Sequence, residues 1–301
     1  MNATIEASVV GQSTTGSASA SALCQPGASR CVDLGGRRLH YLEWGEQHTA
    51  GPTLLLVHGF RAHAHWWDGI APVLAERFRV IAMDLSGMGD SDHRHEYPAH
   101  YASQDIVDLI DRTVAGSVIG IGHSFGGSRL LRACVNRPDL FLRLIICDSF
   151  ILLKGANVPQ DTVNTSGKRF YPDLQTALSR YRLVPEQRGS HPQILDNIAR
   201  HSVRQEPSGW CWKFDLGLPR GIRHEERGEC LLPQVRRPVD VVFGECSQIV
   251  DKAMAERAVQ LLPFGHGPFQ IPDAQHHMMI DQPLAMIATL NRLLVKGDKR
   301  E

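Results

Sequence analysis

Hydrophobic positions in this chain fall into two kinds of run that take turns. "TLLLVHG" (Thr53–Gly59), "RVIAMD", "SVIGIGHS" and "LRLIICDS" are continuous apolar stretches of strand length that end in glycine, serine or aspartate. Such runs suit strands covered on both faces. Between them, "HWWDGIAPVLAERF" spaces Trp66, Ile70, Val73 and Leu74 at helical intervals, and "YASQDIVDLIDRTV" puts Ile106, Leu109, Ile110 and Val114 on one face. "GGSRLLRACVN" reads as a further helix. Upstream, "RRLHYLEWG" alternates apolar and polar residues and predicts an edge strand, preceded by a short "CVDL" strand and a Gly-Gly turn. Strand and helix in alternation predict an α/β fold with a mostly parallel sheet and helices on both faces.

The alternation stops after Phe150. From Ile151 to Pro233 there is no buried-strand run, only amphipathic pieces such as "DLQTALSRYRL" and "HPQILDNIARHSV" and the aromatic stretch "GWCWKFD". An insertion of about 80 residues is too long for a plain loop in a compact domain, so residues 151–233 are expected to form a helical cap. The sheet pattern resumes at "RPVDVVFGE", followed by a helix "DKAMAERAVQLL", a short strand "PFQIPD" and a last helix "PLAMIATLNRLLV". Residues 31–150 and 234–301 then make one core. Residues 1–30, rich in Ser, Ala, Thr and Gly, lack a basic segment followed by a continuous apolar one and read as a disordered tail, not a secretion signal.

Composition narrows the function by exclusion. The 301 residues are 43% hydrophobic and 21% charged with zero formal net charge, which gives no nucleic-acid or anionic-membrane surface. No apolar run reaches the roughly 18 residues of a membrane span. Seven scattered cysteines without a CxxC pair argue against a disulfide framework or a zinc site, and the expected location is cytoplasmic. No G-x-G-x-x-G or Walker sequence is present, so no nucleotide or other cofactor is expected. No metal is expected either, since "HAH" (63–65) and "HRH" (93–95) lack supporting ligands.

The chemistry is carried by "IGHSFGG" (121–127). Gly122 and Gly126 remove side chains from a sharp strand-to-helix turn and leave Ser124 exposed at its tip, beside a helix N-terminus that favours negative charge. A serine nucleophile needs a base, a partner for that base and donors for an oxyanion. The turn in "VHGF" can aim the Phe60 N–H at the same point as the Phe125 N–H. "DAQHHMMIDQP" places His276 and His277 after a late strand, and His276 is the expected base.

Together, HGF, a strand ending in GHSFGG, a helical insert after the next strand and a late HH before DQP resemble the α/β-hydrolase fold over roughly residues 31–297, in a serine-hydrolase-like branch with a helical cap. The resemblance implies Ser124 as nucleophile, His276 as base and the Phe60 and Phe125 N–H groups as oxyanion hole, and it marks Asp84 as structural. It departs at the acid. Family members usually place an aspartate in a G-x-x-D turn after the strand that follows the cap, and here that turn reads "FGECSQIVD" with Ser247 in the expected place. Asp148, at the end of "LIICDS", is the favoured acid, with Glu245 and Asp251 as alternatives. Certain lactonases and cofactor-free dioxygenases of the family take the acid from that strand.

The cap is expected to roof the serine with Phe150, Leu152, Leu153, Phe170, Tyr171, Trp210, Trp212 and Phe214. Of Trp66 and Trp67, one is expected in the core and the other, carried as Trp67, against the pocket. An aromatic lid favours a small hydrophobic ester, lactone or thioester, cleaved through an acyl-enzyme on Ser124. Non-hydrolytic chemistry by the His–Asp pair, such as cofactor-free oxygenation or C–C cleavage, and a non-catalytic ligand-binding protein are the other readings.

Overall fold

Residues 24–149, 151, 153, 167–219 and 227–297 are described by the computed structural model. In chain order, the first half contains β1 (Ala28–Asp33), β2 (Arg38–Trp44), β3 (Thr53–Val57), α1 (Ala71–Leu74), β4 (Val80–Met83), α2 (Tyr101–Thr113), β5 (Val118–His123), α3 (Phe125–Asn136) and β6 (Phe141–Cys147). Next come α4 (Leu174–Leu178), α5 (Pro192–His201), β7 (Val203–Glu206), β8 (Gly209–Trp212) and α6 (Gly228–Leu231). The chain ends with β9 (Val239–Gly244), α7 (Lys252–Leu261), β10 (Gly265–Ile271), α8 (Met278–Asp281) and α9 (Pro283–Gly297).

The continuous apolar runs occupy the middle of an eight-stranded sheet in the order β1-β2-β4-β3-β5-β6-β9-β10. Only β1 and β2 run antiparallel to their neighbours; the other pairs are parallel. Successive side chains of a strand serve opposite faces. Leu55 and Val57 of β3 therefore join a core with Ile106, Leu109, Ile110, Leu130 and Leu131 of α2 and α3. Leu54 and Leu56 join a second core with Ala71 and Leu74 of α1 and Ile287, Leu290 and Leu294 of α9. Each fully buried aliphatic side chain contributes roughly 1.5–3 kcal/mol, so both helical layers are held mainly by these two cores.

Several details differ from the sequence-based expectations. β2 is not the edge strand, because β1 covers its free side along the whole of Ala28–Asp33. β1 also begins inside the span 1–30 assigned to a tail; residues 1–23 lie outside the described residues. "HWWDGIAPVLAERF" does not make one helix. It breaks into a 3₁₀ turn at Ala64–Trp67 and the short α1, since Gly69 is a poor helix interior and Pro72 is tolerated only where a new helix starts. The insertion between β6 and β9 is not purely helical. β7 and β8 pair as an antiparallel hairpin across a Pro207-Ser208-Gly209 turn, with Gly209 at φ +122°.

The insertion is tied to the loops at the carboxyl ends of β3 and β4. Ile194 of α5 lies over Gly69, Asn197 Nδ2 donates to Asp68 Oδ2 (2.9 Å), and His63 Nε2 and Ser202 Oγ are 2.9 Å apart. Tyr97 Oη donates to Asp215 Oδ2 (2.7 Å), and Lys213 Nζ donates to Asp90 Oδ2 (2.7 Å).

Candidate active site

Ser124 sits between the last residue of β5 and the first of α3, at φ 53° and ψ −121°. A non-glycine residue there is strained, and the flanking glycines show why the chain accepts it. A Cβ on Gly122 would lie 2.6 Å from Gly127 Cα, and one on Gly126 would lie 2.4 Å from the His58 carbonyl oxygen. The turn is thus packed too closely for any other residue at either position. Sheet pairing continues into it, with the Ser124 N–H donating to Cys147 O at 3.0 Å.

His276 comes from the loop between β10 and α8, and its ring bridges the ends of two neighbouring strands. Nε2 is 3.1 Å from Ser124 Oγ, and Nδ1 is 2.6 Å from Asp148 Oδ2. A carboxylate can only accept, so Nδ1 carries the proton and Nε2 turns its lone pair to the serine hydroxyl. Asp148 is fully buried, at φ 44° just beyond β6. Its charge is met by three donors: His276, the Gly244 N–H on Oδ1 (3.1 Å) and Ser247 Oγ on Oδ2 (2.6 Å). The serine found where a carboxylate was expected therefore donates to the carboxylate one strand over, while Ser247 Oγ accepts from the Ile249 and Val250 N–H groups. Glu245 and Asp251 are engaged elsewhere: Glu245 accepts from the Asp273 N–H, and Asp251 caps α7 by accepting from the Met254 N–H.

Phe60 and Phe125 flank the serine from β3 and α3, with rings edge to face at 5.5 Å. A Cβ on Gly59 would stand 3.4 Å from Ser124 Cβ, so the β3 turn abuts the serine directly. Among the described residues neither the Phe60 nor the Phe125 N–H donates to a backbone carbonyl. The Phe125 N–H opens α3, where the helix dipole favours developing negative charge.

Two more histidines complete the surroundings. His123 Nε2 donates to the His276 carbonyl oxygen (2.9 Å), and Trp66 lies over His123 and edge-on to His277, with centroids 6.4 and 5.1 Å apart. Burial, reinforced by the neighbouring His276, holds both His123 and His277 well below the ordinary histidine range. The Val184 and Pro185 carbonyls oppose this at His277 by favouring the charged ring, without closing a hydrogen bond. Gln187 of the insertion fixes the loop, its Oε1 accepting from the His277 N–H at 2.9 Å. Asp84 serves structure. Burial is the largest single effect and would raise its carboxyl, but the His40 hydrogen bond (2.7 Å) and the charges of His40, His58 and His63 together outweigh it and hold the group below the usual carboxylate range; the Ala64 and Asp90 N–H groups also donate to it.

The predicted pocket wall is placed differently. Trp67 is fully buried in the core beneath the sheet, and Trp66 is the tryptophan that faces the histidines. Tyr171, Trp210 and Trp212 pack on one another with Val203 and Ala177 as the hairpin's own small core. Phe170 is partly exposed beside Lys168, and Leu153 is buried with the main core. Phe214 stacks under the Arg61 guanidinium at 4.6 Å. Phe150 and Leu152 lie outside the described residues. His123, Gln187 and the role of Ser247 were not anticipated; only the adjacency of His123 to Ser124 offered a signal.

Among the described residues, three groups bring metal-ligand atoms together: His123, His276 and His277; His65, Asp68 and His201; and His40, Asp84 and Asp90. In the second, the His65 and His201 rings stack in near-parallel planes at 3.5 Å, which does not aim two in-plane lone pairs at one point. In the third, Asp84 is saturated by protein donors.

A family model described as "Alpha/beta hydrolase family" matches residues 54–289. The chain is similar to a 2-(acetamidomethylene)succinate hydrolase from Mesorhizobium japonicum, 28% identical over 268 residues that cover 83% of this chain and 89% of that protein. Human epoxide hydrolase 4 is 32% identical over 266 residues, covering 82% of this chain and 73% of that one. Among solved structures, the esterase Rv0045c from Mycobacterium tuberculosis superposes with a TM-score of 0.69 at 21% identity, over 90% of this chain and 91% of that chain. No helix of the described residues is long and apolar enough to cross a membrane.

Proposed function

We propose that this chain, which belongs to the alpha/beta hydrolase family, is a serine hydrolase that cleaves a small ester, lactone or thioester through an acyl-enzyme on Ser124. The observation that carries the reading is the unbroken hydrogen-bond line from Ser124 Oγ through His276 to the buried Asp148. His276 takes the serine proton as Oγ attacks the carbonyl carbon. Asp148 stabilises the resulting imidazolium, and the Phe60 and Phe125 N–H groups hold the oxyanion. His276 then returns the proton to the leaving group and activates the water that releases the acid. The insertion at residues 151–233 acts as a lid, and Trp66 replaces Trp67 as the aromatic wall.

Serine at position 124, where an aspartate would attack an epoxide or haloalkane, separates this reading from the epoxide hydrolase relative. Relatives named for hydrolysis of an acetamidomethylene acid and of esters lend support to acyl chemistry. The test is intact mass after treatment with a fluorophosphonate. One adduct on the wild type and none on Ser124→Ala supports the reading. An unlabelled wild type sinks it, and turnover surviving in Ser124→Ala assigns the chemistry to the His–Asp pair alone.

A further inference from the structure

We propose that His123, His276 and His277 form a binding site for one divalent transition-metal ion of the zinc type, whose arrival takes His276 away from Ser124 and switches the enzyme off. The inhibitory half rests on the serine-hydrolase reading; the binding half does not.

Each of the three side chains offers a ring nitrogen within 4.8 Å of the others, and all three are buried. The ring centroids are 4.8, 4.7 and 5.7 Å apart, with mutual tilts of 43°, 59° and 58°. Three imidazoles on one tetrahedral ion, with nitrogens at about 2.0–2.1 Å, bring ring centroids to about 5 Å from one another. The rings already stand at that spacing, and modest side-chain rotation draws the nitrogens to the about 3.3 Å that a shared ion requires. Ser124 Oγ, 3.1 Å from His276 Nε2, lies close enough to supply or hold the fourth ligand.

The unused nitrogens point the same way. His123 Nδ1 is buried without a hydrogen-bond partner among the described residues, and the His277 ring nitrogens meet only the Val184 and Pro185 backbone, with no hydrogen bond of good geometry. Buried polar atoms in that state are commonly met by an ordered water or an ion, and here three histidine rings each bring a nitrogen into one another's neighbourhood. His123 Nδ1 faces the β3 turn and the serine, since a Cβ on Gly59 would lie 3.3 Å from it.

Outer partners are in place as well. Metal-bound histidines usually give their other ring nitrogen to a carboxylate or a carbonyl, which fixes the ring. His276 gives Nδ1 to Asp148, and His123 gives Nε2 to the His276 carbonyl oxygen. The nitrogens left for an ion are His276 Nε2, which now faces Ser124 Oγ, and His123 Nδ1, and both rings offer a nitrogen within 4.8 Å of one on His277. An all-imidazole donor set selects zinc, copper, nickel or cobalt and discriminates against magnesium and calcium.

The experiment is a calorimetric titration of metal-free protein with Zn²⁺, paired with Co²⁺ absorption and the rate of fluorophosphonate labelling. The expected result is one Zn²⁺ per chain, the visible bands of four-coordinate cobalt, and labelling of Ser124 that slows with Zn²⁺ and recovers with a chelator. His123→Asn and His277→Asn should each weaken binding by about tenfold or more, whereas His201→Asn, in the neighbouring histidine cluster, should leave it unchanged. Absence of binding at millimolar Zn²⁺, binding that survives both site variants, or loss only in His201→Asn overturns the proposal. Should a site variant fail to fold, the cobalt spectrum of the wild type decides, and six-coordinate bands overturn it. A wild type that binds Zn²⁺ but never labels removes the hydrolase reading and leaves the metal site standing.

Discussion

Replacing Asp148 by asparagine removes the negative charge while keeping the size and one acceptor oxygen. The Gly244 N–H on Oδ1 still requires an acceptor, so the new amide keeps its oxygen there and its NH₂ takes the place of Oδ2, facing His276 Nδ1 and Ser247 Oγ, whose hydroxyl must then accept. That ring nitrogen must then accept, the proton moves to Nε2, and Ser124 faces a donor instead of a base. In a serine-protease triad the same exchange costs about 10⁴-fold in kcat, equivalent to about 5.5 kcal/mol of transition-state stabilisation. A loss of that order is expected here. Ser247 gives the counter-experiment. Its Oγ is 2.6 Å from the oxygen that His276 holds at 2.6 Å, so it lies no more than two hydrogen-bond lengths, about 5 Å, from Nδ1. An aspartate at 247 extends further and brings a carboxylate oxygen within reach. Asp148→Asn/Ser247→Asp should therefore recover about 10- to 100-fold over Asp148→Asn, whereas Ser247→Asp alone should lose activity because two adjacent carboxylates cannot both stay ionised. The assay is the pseudo-first-order rate of fluorophosphonate adduct formation by intact mass, with p-nitrophenyl acetate hydrolysis alongside and urea unfolding as the check on folding. Wild-type labelling in Asp148→Asn refutes the assigned acid. A folded double variant no better than the single one refutes the geometry by which Ser247 shares the carboxylate's place.

Gly126→Ala pushes a methyl group against the Val57 and His58 carbonyl oxygens at 2.5 and 2.4 Å; about 1–3 kcal/mol of stability or more should be lost, with labelling of Ser124, and an unchanged urea midpoint would contradict it. His58, His63, His123 and His277 are held below the ordinary value of 6.5, burial being the leading cause in each. Below about pH 6.5 the unfolded chain therefore binds more protons than the folded one, and stability should fall by about 1.4 kcal/mol per pH unit for each such group as pH drops toward its folded value. Urea midpoints that stay flat from pH 7.5 to 5 would show these rings to be protonated in the fold. Trp67→Ala, which empties the core under the sheet, should cost about 3–5 kcal/mol, whereas Trp66→Phe should cost far less and change KM for aromatic esters; equal thermal destabilisation with no change in KM would refute the separate roles.

The sheet was readable because its central strands are buried on both faces, and a continuous apolar run says so without help from the rest of the chain. Ser124 and His276 were readable for a local reason, since the turns that present them have their own glycine and loop signals. Asp148 was readable only as a preference. That His276 reaches it and not Glu245 or Asp251 depends on the order of β6, β9 and β10 in the sheet, which no local pattern states. The β7–β8 hairpin was missed although Pro207-Ser208-Gly209 is a turn signal, because four-residue strands with mixed burial carry almost no period. Trp66 and Trp67 are both buried in the same core cluster, and which of them also faces the histidines follows from the packing of His123 and His277, which no local pattern states.

Ser124 and Asp148 stand at the tips of adjacent, hydrogen-bonded strands, and both precede the insertion between β6 and β9. Their separation is set by strand spacing, which no change in the insertion can stretch. Phe60 and Phe125 belong to the same stretch of chain, so after the insertion come only His276 and the Gly244 and Ser247 donors that hold the carboxylate. The insertion, proposed as a lid, therefore bears on the triad at its last member. Any redesign of the insertion must keep Gln187, whose hold on the His277 N–H steadies the loop that returns a single imidazole to a pair already in place.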